Sequence, residues 1–379
     1  MTIGIITIHN SPNYGACLQS YALYKYLEQQ GYEVEVIDLH RPYQEDYIQS
    51  KKYKAARMVK LPFKKKLKRL IRGILRFKSN KQSLFSPEAK KKFDEFNSQI
   101  KLTKPYYGID ELYASPPVFD LYVAGSDQIW NPTQSYCLEP YFLTFAPKGS
   151  RKISFASSIG ITDLTHTEKK NFREWLSSFS SISVREIQAK TLLESFIDQK
   201  VYLMPDPTFL LENEFWKSLA KTQTHRKPYI LLFTLNYNEA LLNYGQRLSA
   251  ESGKILVSLC QIQPDSDSNS YIAVKDAGPK DFLAWLMDAD LVITNSFHGT
   301  VFSIIMGANN FYVHITDNTR GSRIVNLLDT YGLSEHLLDS RLQLTCQQLM
   351  ERKIDHSKIN DIMKHERERS REFLNLHLK

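Results

Sequence analysis

The chain has 379 residues, 42% hydrophobic and 24% charged, the proportions of a folded globular protein and not of a disordered, collagen-like or coiled-coil chain. Its length suggests two domains. The net charge of +8 is local: residues 51–81 carry 14 of the 49 Lys and Arg and no acid, which leaves the rest of the chain at −6.

Residues 2–8 are a β-branched run, read as a buried first strand with no basic region before it to mark a signal peptide. From 16 to 30, Leu18, Tyr21, Ala22, Leu23, Tyr26 and Leu27 recur at helical spacing, and Gly31 is the stop. A second strand at 33–38 completes a βαβ unit with no room for a hairpin, so its strands are expected to run parallel. A basic insertion over about 47–92 follows. Within it Leu67, Leu70, Ile71, Ile74 and Leu75 lie opposite Lys65, Lys68, Arg69, Arg72 and Arg76, which predicts a basic amphipathic helix.

Further strands are predicted at 119–124, 152–156, 181–185 and 201–204, then at 229–234, 255–259, 290–294 and 311–315. Helices are predicted at 167–178, 186–196, 237–252, 280–287 and 300–306. This alternation predicts an α/β protein of two Rossmann-like domains with parallel sheets. The polar stretch 207–228, with Pro207 and Pro228, divides them into 1–215 and 216–379. The charged tail, about 356–379, reads as a helix that packs back on the first domain. Cys17, Cys137, Cys260 and Cys346 show no metal-binding or disulfide spacing, so no metal site is expected. No apolar run reaches the roughly 18–20 residues that span a bilayer, and a cytoplasmic protein is expected.

Ligands of open parallel sheets bind beyond the carboxyl ends of strands, where helices begin. Five stretches are candidates, four after a strand and one before an amphipathic run. The loop His9-Asn10-Ser11-Pro12-Asn13-Tyr14-Gly15 leads into a helix, and serves turn geometry equally well. Gly125-Ser126-Asp127-Gln128-Ile129-Trp130-Asn131 follows a strand; Asp127 and Asn131 suit helix caps too, and Trp130 suits the core. Arg185 ends a strand and fits a carboxylate, a phosphate or the neighbouring Glu186. Ser296-Phe297-His298-Gly299-Thr300 runs from a strand into a helix, with His298 at the mouth of an anion pocket built on Gly299 and Thr300. Ser322 reads as a helix cap, and Arg323 suits a second anionic group. There is no GxGxxG or GxxxxGK[ST] loop, which argues against a dinucleotide or P-loop site.

Together these stretches resemble the polysaccharide pyruvyl transferase family. The likeness runs in order through His9–Gln19, Gly125–Asn131, Ser154–Gly160, Ser183–Glu186, Pro205–Thr208, Ser296–Thr300 and Ser322–Ile324, and leaves out the basic insertion. It implies a fold similar to the two-domain GT-B glycosyltransferases, with the active site in the interdomain cleft. It implies transfer of the pyruvyl group of phosphoenolpyruvate to two hydroxyls of one sugar, as in capsule or exopolysaccharide biosynthesis, without a further cofactor. The family's donor-site Arg and His match Arg185 and His298. Ser296, Gly299, Thr300 and Arg323 join them on the donor side, in the second domain. His298 would act as proton shuttle, and Asp127 would orient or deprotonate a sugar hydroxyl. His9, Asn10, Asn13, Tyr14, Gln128, Trp130 and Asn131 would bind the acceptor, on the first domain. Some relatives carry Arg-Leu-His where this chain has Ser296-Phe297-His298, so a second donor arginine is missing there and Arg323 would stand in.

The basic helix has a Leu/Ile stripe with little aromatic interleaving, which fits an anionic membrane surface better than nucleic acid. A lipid-linked oligosaccharide acceptor, reached on the inner face of the cell membrane, is the matching expectation. The rival readings are a GT-B nucleotide-sugar glycosyltransferase and a non-catalytic glycan- or lipid-binding protein.

Overall fold

The computed structural model describes residues 1–40, 86–134, 136–220, 228–260, 270–315 and 318–378, of which 318–320 as backbone alone. The predicted basic helix and most of the insertion lie outside the described residues.

The first half opens with β1 (Thr2–Ile6), α1 (Tyr14–Gln29) and β2 (Glu33–Val36). Asn13 caps α1 by accepting from the Ala16 N–H at 3.2 Å, and Gly31, at φ 84°, turns the chain out of the helix. Next come α2 (Pro87–Asn97), α3 (Ile109–Ala114), β3 (Leu121–Ala124), β4 (Arg151–Ser154), α4 (His166–Leu176), β5 (Ile182–Val184), α5 (Ile187–Glu194) and β6 (Val201–Leu203). Helix α2 corrects the expected insertion boundary at 92. Its Ala89, Phe93 and Phe96 form an apolar stripe buried in the core, although lysines surround them in the sequence. The main sheet has the order β2-β1-β3-β4, all parallel, and β5 and β6 form a parallel pair beside it. β3 is buried throughout because helices cover both faces of the sheet.

Helix α6 (Asn213–Leu219) leads into β7 (Tyr229–Phe233), α7 (Glu239–Ser252), β8 (Ile255–Leu259), β9 (Tyr271–Val274), α8 (Pro279–Met287), β10 (Leu291–Thr294), α9 (Phe297–Ile305), β11 (Phe311–His314) and α10 (Asn318–Thr330). Then follow β12 (Leu337–Leu338), α11 (Cys346–Glu351) and α12 (His356–His377). The six strands are parallel in the order β12-β11-β10-β7-β8-β9, the Rossmann order of two mononucleotide-binding halves. The expected division after residue 215 runs through α6. Its Trp216 packs edge-on against Phe302 of α9, with ring centroids 5.0 Å apart, while Phe215 stacks with Tyr21 of α1, so α6 bridges the two halves.

One hydrophobic core runs through both halves, from Ile3 and Ile5 to Val292 and Val301. Two of the contacts that join them are at α1 and at the C-terminal helix. Tyr14 of α1 stacks on Phe282 of α8 at 4.8 Å and donates its hydroxyl to the Ala277 carbonyl at 3.0 Å. The C-terminal helix α12 returns to the first half, where Phe373 meets Phe155 and Tyr202 and Arg367 donates to the Phe209 carbonyl. The four cysteines are buried and form no disulfide.

Candidate active site

Each main sheet has one place where its strand order reverses, between β1 and β3 in the first half and between β7 and β10 in the second. A crevice forms at such a point because the chain leaves the two strands in opposite directions. The two crevices face each other. Between them lies a cavity of about 400 Å³. Ser11 and Asn13 after β1, with Asp127 and Gln128 after β3, line one wall. Leu235 and Asn236 after β7, with Asn295 and Ser296 after β10, line the other, joined by His298 and Arg323. Asn295 ties its two loops together by accepting from the Leu235 N–H at 3.2 Å.

His298 lies in the first turn of α9 and is largely buried. Its Nε2 is 3.3 Å from Oδ2 of Asp206. An ionised carboxylate can only accept, so Nε2 is the donor in this hydrogen bond. The other side of the ring lies against Gly15 of α1, where a Cβ would stand 2.0 Å from Nδ1. The imidazole is therefore held by the second half, by the first half and by the segment that joins them.

Asp206 is buried completely and accepts from four groups. Arg185 Nη1 donates to Oδ2 at 2.5 Å, as His298 does, and the Thr208 N–H and hydroxyl donate to Oδ1. Burial by itself would raise this carboxyl. The charges and hydrogen bonds of His298 and Arg185 overcome that and hold it well below the usual carboxylate range. Arg185 also faces Asp127 at 3.7 Å and Glu186 at 3.8 Å, and Glu186 lies 3.9 Å from Arg323. Phe297 stacks between the two guanidiniums, 4.3 Å from Arg185 and 5.5 Å from Arg323.

Several expected site residues take other roles. Arg185 does not line the central cavity; it lies behind Phe297 and borders a separate space of about 210 Å³. Trp130 is fully buried, stacked on Phe142 at 4.8 Å, with its indole N–H donated to the Tyr141 carbonyl. It is core and not an acceptor contact, and Tyr14 is likewise an interdomain core residue. Asn131 is buried, where its carbonyl oxygen holds the Thr133 N–H and hydroxyl. Gly299 and Thr300 belong to the capped first turn of α9. Ser296 accepts from the Gly299 N–H, and the Thr300 hydroxyl donates back to the Ser296 carbonyl. The helix starts at Phe297, earlier than expected, because Ser296 is its cap. Ser322 caps nothing, since α10 already begins at Asn318. His9 and Asn10 face a different cavity.

Of the residues singled out from sequence, the cavity brings together Asn13, Asp127, Gln128, Ser296, His298 and Arg323. The Gln128 amide lies between Asn131 Nδ2, at 2.6 Å, and the Arg323 guanidinium, at 2.8 Å. Sequence reasoning missed Asp206 as a site residue, together with Asn295, Leu235 and Asn236. Asp206 sits between Pro205 and Pro207 and looks like turn chemistry; only the fold shows that Arg185 and His298 converge on it.

The profile of the polysaccharide pyruvyl transferase family matches residues 13–313, most of the chain and all of the cavity's walls save Ile8, Ser11, Ile315 and the start of α10. The chain belongs to the polysaccharide pyruvyl transferase family. No curated protein matches it in sequence. Among solved structures, UDP-N-acetylglucosamine 2-epimerase from Rickettsia bellii is similar at a TM-score of 0.54 and 10% identity, covering 100% of this chain and 95% of that one. Arabidopsis thaliana UGT89C1 complexed with UDP-L-rhamnose is similar at a TM-score of 0.51 and 11% identity, covering 98% and 94%. At such identities the likeness concerns the fold, which is the GT-B type expected for this pyruvyl transferase family member.

Proposed function

We propose that this protein transfers the pyruvyl group of phosphoenolpyruvate to two hydroxyls of one sugar, forming a cyclic ketal on a polysaccharide precursor. The observation that carries the reading is the oriented imidazole of His298 beside Arg323, in a cavity shared by both halves of a pyruvyl transferase family member. Phosphoenolpyruvate brings a carboxylate and a phosphate. Arg323 and the first turn of α9 supply positive potential for one of them.

The reaction balances as follows. One acceptor hydroxyl adds its oxygen to C2 of the donor while C3 takes a proton. The second hydroxyl then displaces phosphate at C2 and closes the ring. Of the two hydroxyl protons released, one balances the proton gained at C3 and one leaves with phosphate. His298 handles the proton at C3, and Asp127 orients the attacking hydroxyl across the cavity. Arg185 acts through others: it neutralises Asp206, which orients His298, and it supports the Phe297 ring between the two guanidiniums.

The test is incubation of a panel of oligosaccharides with phosphoenolpyruvate, followed by phosphate assay and mass spectrometry. Phosphate release matched by a mass gain of pyruvic acid less one water supports the reading, and His298→Ala removes both. Phosphate-free turnover of a nucleotide-sugar, inhibited by a nucleoside diphosphate, would replace it with glycosyl transfer.

We also propose that residues 51–81 bring the enzyme to an anionic membrane, where the acceptor is lipid-linked. The support is the sequence alone: fourteen cations without an acid, and a leucine-isoleucine stripe among them. Among the described residues no helix is long and apolar enough to cross a membrane. Sedimentation with anionic vesicles decides. Wild type should pellet and a 51–81 deletion should not; equal pelleting would overturn the proposal.

A further inference from the structure

Gln19 stands in α1 and is buried completely, as is Ser126 two residues past β3, and Thr7 just after β1 is 2% exposed. An amide in such a place is costly unless its groups are paired. Here they are. The Gln19 side-chain oxygen accepts from the Ser126 N–H at 3.1 Å. Its amide nitrogen faces Thr7 Oγ1 at 3.0 Å, the Ala16 carbonyl at 3.1 Å and the Ile8 carbonyl at 3.4 Å. The Thr7 hydroxyl donates in turn to the Ser126 carbonyl at 3.1 Å.

Both backbone groups of Ser126 are therefore held by side chains from the opposite arm of the crevice. The backbone ladder between β1 and β3 ends one residue earlier. It pairs Ile6 with Ala124, and the Gly125 N–H donates to the Ile6 carbonyl at 3.0 Å. Gln19 and Thr7 carry the pairing one peptide further, past the end of both strands.

The next residue is Asp127, at φ 67°, in the left-handed region that residues with a Cβ rarely adopt. Its carbonyl is fixed as well, accepting from the Ser158 N–H at 2.9 Å and the Ile129 N–H at 2.8 Å. With the chain fastened on both sides, Asp127 lines the central cavity, its carboxylate 3.7 Å from Arg185. An apolar side chain at position 19 could fill the same core space but could not hold the Ser126 peptide.

We infer that Gln19 and Thr7 are positioning residues: they clamp the Ser126 peptide across the crevice and so set where the Asp127 carboxylate meets the acceptor hydroxyl. The use of that carboxylate rests on the pyruvyl-transfer reading, whereas the clamp can be measured without the reaction. Three variants probe it. Thr7→Val keeps the shape and removes the hydroxyl, Thr7→Ser keeps the hydroxyl, and Gln19→Met keeps the length of the side chain without its amide. Hydrogen exchange by mass spectrometry follows residues 125–131 with no substrate present. Phosphate release from phosphoenolpyruvate with a sugar acceptor gives kcat and the donor KM, and melting curves show which variants are folded.

In Thr7→Val and Gln19→Met, residues 125–131 should exchange faster than in the wild type, and kcat should fall by about tenfold or more. The donor KM should stay within about twofold, because neither side chain lines the cavity. Thr7→Ser should match the wild type in all three measurements. That pattern supports the clamp. A folded Thr7→Val or Gln19→Met with full kcat overturns it, and so does a loss carried by the donor KM. A fall in kcat with unchanged exchange at 125–131, or a Thr7→Ser as impaired as Thr7→Val, overturns it too. A wild type that releases no phosphate with any sugar would remove pyruvyl transfer instead, and exchange alone then decides: faster exchange at 125–131 in Thr7→Val and Gln19→Met keeps the clamp, and unchanged exchange overturns it.

Discussion

Asp206 meets an arginine and a histidine with one carboxylate, and both consequences can be measured. Its carboxylate orients the His298 imidazole, so Asp206→Asn removes the charge that fixes the working tautomer. Phosphate release from phosphoenolpyruvate should fall by about a hundredfold or more, the usual worth of a positioned acid-base group. The donor KM should change little, because Asp206 does not line the cavity. The second consequence concerns acid. In the folded protein this carboxyl lies below its ordinary value, so its ion pairs stabilise the fold at every pH above about 4. That contribution fades as pH falls further and the carboxylate is titrated. The wild-type Tm should therefore drop steeply below about pH 4, and Asp206→Asn, already weakened at neutral pH, should show a shallower drop. At Gly15 the argument is steric. Gly15→Ala puts a methyl group within 2.0 Å of Nδ1 and must push the ring away from Asp206. A displacement of that order costs about a hundredfold in rate, and a kcat assay with a parallel melt separates it from unfolding.

At the scale of elements, the parallel strands were legible because buried β-branched runs such as those of β1, β7 and β10 carry their own signal. The first helix was legible from its stripe and from Gly31. What escaped did so for local physical reasons. The lysines of α2 outnumber its three core residues, and its stripe shows only once Phe93 meets Tyr14 at 5.2 Å. Thr300 looked like the start of α9 because Ser296 was read as part of the connecting loop and not as the helix cap. The site was half legible: position relative to strand ends singled out Asp127, Ser296 and His298, which the cavity brings together. It could not tell Trp130 in the core from Trp130 in a cleft, since both follow a strand. The C-terminal helix was expected to cross back, and its contacts imply a stability role. Phe373→Ala, which empties the space against Phe155 and Tyr202, should cost about 3 kcal/mol or more in denaturant melts.

At the scale of the molecule, a cavity shared by two sheets makes ligand binding and interdomain contact one event. Phosphoenolpyruvate at a hundred times its Kd should add about 2.7 kcal/mol of stability, visible as a rise in Tm. Arg323→Ala should abolish that rise, and a full rise in this variant would remove Arg323 from the donor site. The contact between Gly15 and His298 reaches further than catalysis. The two residues come from opposite halves of the chain, and a third distant position, Asp206, closes the set. No stretch that separates these three residues can therefore be exchanged with a relative on its own terms. A chimera joined anywhere between Gly15 and His298 inherits the glycine from one parent and the imidazole from the other. Among relatives, a bulkier residue at the position of Gly15 should occur only where a smaller or shifted group replaces His298. The cluster of Gly15, Asp206 and His298 should thus be inherited as a unit, although the chain spells it in three separate places.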